Sequence, residues 1–110
     1  MKRAPVHIVD TASVAPADAM RYAELLRGEL GPVMRDAGAP MIALRTTSDE
    51  LGEDVLVQVV WCTPDHAAWN RVRRNFFIDP RWHAAWAKLA PLRRGGTRRF
   101  YYPLIEGSQP

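Results

Sequence analysis

The side chains best suited to moving a proton in this sequence are its three histidines, His7, His66 and His83. An imidazole takes up and releases a proton near neutral pH, so each is a candidate general base. His7 lies in a β-branched run with Val9 and Thr11 at alternate positions, which would set it on one face of a strand as the catalytic candidate. The plainer alternative is a histidine bonded to a neighbour at a sheet end. His66 could share a helix side with Trp69 and Arg73 at spacings of three and four, and both His66 and His83 suit a surface equally well. The three histidines have none of the recognised metal-ligand spacings, so no metal site is expected. Cys62 is the only cysteine, which leaves no disulfide framework and no cysteine-built zinc cage and suits a reducing, cytoplasmic setting. There is no Gly-rich phosphate loop, nucleophile elbow, metalloprotease helix or dinucleotide fingerprint, so no cofactor is expected.

Binding chemistry is better represented than catalysis. Arg45 stands in an otherwise apolar run, where a buried guanidinium needs an acid or an anionic ligand; Asp10 is a candidate partner, and reaching solvent at a strand end is the alternative. Trp61, Trp69, Trp82 and Trp86, with Phe76, Tyr101 and Tyr102, gather aromatic surface in the second half. Such residues usually build a core, but they could also line a cleft for an aromatic or polyketide-like ligand. The net charge of +3 is unevenly spread: residues 1–70 sum to −4, whereas residues 71–99 sum to +8 with Asp79 as their only acid. Arg71, Arg73, Arg74, Arg93, Arg94, Arg98 and Arg99 make this basic region. It suggests an anionic partner or a solvated face. Interleaved aromatics would suit RNA, but the last strand lacks an RRM signature, so nucleic acid ranks behind a small anion.

These residues must be held by a small number of elements. The 110-residue chain is 47% hydrophobic and 25% charged, an ordinary globular composition for a single domain spanning residues 1–110. The basic start and small residues around Val14 to Ala17 faintly imitate a secretory signal, but His7 and Asp10 break its core, so it reads as a mature N-terminus. No stretch approaches about 18 apolar residues, and a soluble protein without a membrane span is expected. The run Val6 to Val14 reads as a strand, and Pro16 suits a helix start. Ala19, Tyr22, Leu26, Leu30, Val33, Met34 and Ala37 recur at helical spacing, Gly38 closes that helix, and Gly28 with Gly31-Pro32 predicts a bend or a broken final turn inside it. Met41 to Thr47 and Asp54 to Cys62 read as a hairpin joined through Ser48 to Glu53. Thr63-Pro64-Asp65 and Asp79-Pro80 each predict a helix start, with Thr63 as the first cap. Trp69, Val72 and Phe76 form one buried stripe, Trp82, Ala85, Trp86 and Leu89 the next, and Pro91 ends the second helix. Gly95-Gly96 reads as a turn, followed by a last strand from Thr97 to Ile105.

The order β, α, β, β, α, β predicts an α+β, ferredoxin-like fold: a four-stranded antiparallel sheet with its helices on one face. Such a sheet should be polar on its other side. The third strand breaks that rule, with Val55, Val57, Val59 and Trp61 on one face and Leu56, Val60 and Cys62 on the other beside Gln58. The second strand agrees, with Met41 and Ala43 opposite Ile42 and Leu44. A second copy of the chain is the economical cover for the dry outer face, so a homodimer is expected.

The segment from Trp69 to Trp82, with its helix, Asp79-Pro80-Arg81-Trp82 and second helix, resembles NIPSNAP-type proteins of the dimeric α/β-barrel superfamily. The resemblance continues through Arg93-Arg94-Gly95-Gly96 to Pro103-Leu104, about the last half of the chain. It implies a dimeric α/β barrel. It also implies neighbours that include cofactor-free monooxygenases, polyketide cyclases and isomerases, some of which use a strand-one histidine as base, alongside many proteins without known activity. Fold transfers better than chemistry here. The reading carried forward is a homodimer that binds a hydrophobic, anionic small molecule, with His7 as proton carrier, Arg45 and Arg73 holding negative charge, and Trp61, Trp69, Trp86 and Tyr102 lining the cleft. A non-catalytic module binding protein or RNA through the basic half is the rival.

Overall fold

The computed structural model describes residues 4–48 and 52–105. Strand β1 (Val6–Val14) is followed by a short 3-10 turn from Pro16 and then by α1 (Ala19–Leu25), a π-helical turn over Leu26–Leu30, and α2 (Gly31–Ala37). Then come β2 (Met41–Thr46), β3 (Val55–Thr63), α3 (His66–Phe77), α4 (Pro80–Leu89) and β4 (Arg93–Tyr101). The strands form a four-stranded sheet in the order β2-β3-β1-β4, antiparallel throughout. This is the expected βαββαβ arrangement.

The bend expected near Pro32 is the π turn. Proline has no N–H and cannot complete regular helical bonding, and the Gly31 N–H just before it reaches the Leu26 carbonyl, five residues back. Gly38 ends α2 at φ 108, a left-handed conformation that glycine adopts without steric cost. Its N–H bonds the Arg35 carbonyl at 3.1 Å while Ala39 N–H bonds Met34 at 2.8 Å, the paired closure of a Schellman motif. Asp79 caps α4 as expected, accepting from Arg81 N–H at 2.9 Å, with Pro80 in the first turn.

Three local expectations are corrected. The cap of α3 is Asp65, which accepts from Ala68 N–H at 2.8 Å; Thr63 remains in β3 and donates its hydroxyl to the Asp65 carbonyl. In β2 a bulge between Met41 and Ala43 reverses the expected alternation. Met41 and Leu44 thereby pack on the core, while Ala43 and Arg45 pair with Val60 and Gln58 on the other face. Finally, Gly95 and Gly96 are not a turn: they lie within β4, opposite Ser13 and Ala12. The strand ends at Tyr101, ahead of Pro103, which has no N–H for the ladder. Of the expected hairpin connection, residues 49–51 lie outside the described region.

The core sits between the helices and one face of the sheet. Val6, Ile8, Ala12 and Val14 of β1 and Val55, Val57, Val59 and Trp61 of β3 supply the sheet side. Leu25, Leu26, Met34, Trp69, Phe76 and Leu89 supply the helix side. Among the described residues, no helix is long and apolar enough to cross a membrane.

Candidate functional site

Strand alternation decides which side chains can meet. Asp10 shares the helix-covered face with Ile8 and Ala12, opposite Val59 on β3 and Arg98 on β4. Its carboxylate accepts from Arg98 Nε at 2.6 Å and Nη2 at 2.9 Å, and from Trp61 Nε1 at 3.1 Å. The two-pronged guanidinium contact leaves this acid fully engaged. Arg98 also lies over the Trp69 ring, 5.0 Å from its centroid.

Beside this group a cleft of about 410 Å³ runs between sheet and helices. Tyr22, Leu26, Leu30 and Met34 line it from the first helical run, Phe76, Trp82, Trp86 and Leu89 from the second pair of helices, and Val57, Val59 and Trp61 from β3. The Trp82 and Trp86 rings stack at 5.9 Å with 10° between planes. The apolar, flat-sided lining suits an aromatic ligand. Its polar wall is formed by Tyr22, Asp10, Arg93 and Arg98.

Arg93 reaches this wall because of an irregularity in β4. The pairing with β1 shifts between Ser13 and Val14, so that Val14 meets Arg93 and Ser13 meets Gly95. Arg94 is the extra residue and turns outward to Asp54 at 2.9 Å; a bulge of this kind re-aims its neighbours. Arg93 is thereby on the helix side, with its guanidinium 5.0 Å from the centre of Trp86 and beside the Tyr22 hydroxyl. Among the described residues no carboxylate forms an ion pair with it. Burial pushes the Tyr22 hydroxyl above its ordinary value of 10.0; Arg93 opposes that shift by charge and hydrogen bonding, and Asp10 adds to it. Tyr22 is therefore a protonated phenol at neutral pH. The cleft presents a cation and an O–H donor to a ligand.

The residues expected from sequence divide between the two sides of the sheet. Trp61 and Trp86 line the cleft. Trp69 is buried beside it, packed on Phe76 at 6.0 Å and Phe100 at 5.7 Å. Arg73 is exposed on α3 and lines neither cavity. His7, Arg45 and Tyr102 come together on the opposite, open face in a depression of about 470 Å³ that Val9, Gln58 and Tyr101 also line. Asp10 is not the partner of Arg45, because the sheet separates them; Arg45 Nε instead donates to Gln58 Oε1 at 2.7 Å, and Gln58 donates to Thr11 at 3.2 Å. His66 packs on Phe100 at 5.5 Å. His83 Nε2 lies 2.7 Å from the Phe77 carbonyl oxygen and so carries its proton there. No group of metal-binding side chains occurs among the described residues.

The pairing of Tyr22 with Arg93 escaped the sequence reading, which named Arg93 only within the basic region. Tyr22 counted only as one member of an apolar stripe, and the parity of Arg93 depends on a bulge that has no signature in Arg93-Arg94-Gly95-Gly96. A tyrosine in a buried stripe, whose hydroxyl requires a partner, is the signal that could have pointed to the pair.

No protein-family model matches the chain, and no curated protein does either. Solved structures do. An uncharacterized NIPSNAP-like domain protein from Burkholderia xenovorans is 19% identical with a TM-score of 0.79, covering 98% of this chain and 91% of that one. A NIPSNAP family protein from Agrobacterium tumefaciens is 18% identical with a TM-score of 0.76, covering 94% and 96%. A proposed antibiotic biosynthesis monooxygenase from Nitrosomonas europaea is 10% identical with a TM-score of 0.69, covering 98% of each chain. The chain has the ferredoxin-like fold of these proteins. The likeness that the sequence shows in the last half extends, as structure, over the first half as well.

Proposed function

We propose that the chain binds a flat, hydrophobic, anionic small molecule in the cleft between sheet and helices. The observation that carries this reading is the Arg93 guanidinium, which has an aromatic face and a phenol as neighbours but, among the described residues, no carboxylate paired with it, Asp10 of the same wall being bound by Arg98. A cation in that setting is most stable when an anion completes its shell. The ligand's rings would lie against Trp86 and Trp61, and its negative oxygen would meet Arg93 and the Tyr22 hydroxyl. The same two donors would stabilise an enolate oxygen, which is the step such a site could contribute to a cofactor-independent cyclase, isomerase or monooxygenase. The fold neighbours that include proposed antibiotic biosynthesis monooxygenases are in keeping with it. His7 cannot serve this cleft as proton carrier from across the sheet; with Arg45 and Tyr102 it belongs to the open-face depression.

The cleft reading is tested by filling the space. Leu30 lines the cleft and is 8% exposed, and Leu30→Trp should abolish calorimetric binding of aromatic acids while the circular dichroism spectrum is kept. Undiminished binding to a folded variant would place the ligand elsewhere.

A second copy of the chain is the occupant we propose for the open face. Val9 and Val60 at its centre are already buried in the single chain, whereas Leu56, Tyr101 and Tyr102 around them are 45%, 49% and 54% exposed and supply the apolar area still open. A two-fold pairing would bury this apolar area and enclose the depression that holds His7 and Arg45. The RNA-binding alternative draws less support, because Arg81, Arg94 and Arg98 of the basic half are already paired with Asp79, Asp54 and Asp10.

A further inference from the structure

Resting on the cleft reading, we propose that Gly96 is a positioning residue: by leaving an empty bed on β4 it lets Arg93 fold inward, and this makes the cleft selective for carboxylic acids over their neutral counterparts. Gly96 stands opposite Ala12 on the helix-covered face, where any other residue would direct a side chain into the cleft wall. A Cβ built there would overlap Arg93 Nη2 and lie 2.8 Å from its Cζ. The guanidinium thus occupies the volume that a side chain at position 96 would need.

The obstruction falls on the mobile end of a long side chain, while the nearest backbone atom, the Thr11 carbonyl oxygen, is 3.2 Å away. An alanine would therefore displace Arg93 with only a small adjustment of the strand. This separates the role of Gly96 from a purely structural one. Glycine weakens a strand interior, and it commonly marks a place where something approaches the backbone closely; here that something is the cation of the cleft.

Two features fix what the cation reads. The outward turn of Arg94 to Asp54 leaves Arg93 as the inward member of the pair. Its neighbour Tyr22 is a phenol, protonated at neutral pH from its ordinary value of 10.0 and pushed higher still by burial, so a guanidinium N–H and a phenolic O–H are presented side by side. A carboxylate has two acceptor oxygens for two such donors and a charge for the cation. An amide of the same shape has one acceptor oxygen, no charge, and an NH₂ that cannot accept.

The experiment compares 2-naphthoate with 2-naphthamide, by titration calorimetry at neutral pH, on the wild-type chain and on Gly96→Ala, Arg93→Met and Arg94→Met. The wild type should favour the acid by roughly ten- to a hundred-fold, the range of a charge-assisted hydrogen bond. Gly96→Ala and Arg93→Met should both lose that preference, chiefly by weakening naphthoate, while naphthamide binding stays within about threefold. Arg94→Met should keep it. General loosening of the fold would weaken both probes together, so the ratio separates positioning from structure, and Arg93→Met tests the cation without altering the strand backbone. Retained acid preference in Gly96→Ala overturns the role of Gly96. Equal binding of acid and amide by the wild type overturns the reading by Arg93 while leaving an apolar cleft. Failure of the wild type to bind either probe overturns the cleft reading and this inference with it.

Discussion

The two faces of the sheet are built from alternate residues of the same strands, yet they meet different fates. On the helix side, Ile8, Val57 and Trp61 are sealed by the chain's own helices, and the one acid, Asp10, is matched by Arg98 and Trp61. On the open side, Val60 is just as buried at 1%, but Leu56 on the same strand remains 45% exposed, and a polar row from Arg45 through Gln58 to Thr11 crosses between them. The difference means that a small domain of this kind closes one layer by itself and leaves apolar side chains exposed on the other, the face on which the proposed second copy would sit. Its cavity chemistry is correspondingly divided, with Tyr22 and Arg93 inside the closed side and His7 and Arg45 on the side offered outward.

The comparison breaks most readily at the open face. Leu56→Lys combined with Tyr101→Asp should weaken self-association about a thousandfold, or ~4 kcal/mol, while each chain stays folded. Light scattering would read twice the 12.4 kDa chain mass for the wild type and a single chain for the double variant. A wild type that is already a single chain at high concentration would remove the proposed second copy. On the closed side, Leu89 is fully buried and lines the cleft. Leu89→Ala should cost roughly 3 kcal/mol of folding stability through lost burial and the enlarged cavity, measured by urea unfolding, with little change in association.

The smallest effect is a pH dependence that can be measured once on each side. The folded chain holds the Tyr22 proton more tightly than the unfolded chain, so the corresponding stability is fully present below 10.0 and is lost as pH rises through the higher folded value. Cys62 on the open face has a thiol that burial also raises, from 9.0, and contributes a decline of the same sign that begins lower. Tyr22→Phe and Cys62→Ser should each flatten part of the alkaline fall in melting temperature, the cysteine variant at the lower pH. A Tyr22→Phe protein with an unchanged alkaline profile would show that the phenol is not shielded as described.

Most of the architecture could be read from the sequence because its signals are local. Val6 to Val14 is a strand within its expected bounds, and Asp79-Pro80 starts a helix as its capping chemistry dictates. What escaped was parity. Every position from Met41 to Leu44 is apolar, so nothing in that run marks the bulge that exchanges its faces. Gly95-Gly96 has turn composition, and only its pairing with Ser13 and Ala12 reveals a strand. The same applies to the site. His7 and Trp61 belong to neighbouring strands, and it takes the register Ile8 opposite Trp61 to show that the sheet stands between them. Charge spacing could nominate Arg45 and Arg73, but it could not show that an extra residue in β4 sends Arg93 inward.

The π turn over Leu26–Leu30 acts as a phase corrector. Tyr22, Leu26, Leu30 and Met34, each four positions apart, all line the cleft, although at 3.6 residues per turn such a series drifts about 40° per step and would spiral about 120° around the axis by its last member. One residue of extra winding absorbs about 100° of that drift, so the four side chains stay in a nearly straight file along the ligand's path. The same residues wound as a regular α-helix through this turn would swing Met34 by about 100° out of the wall it helps to build.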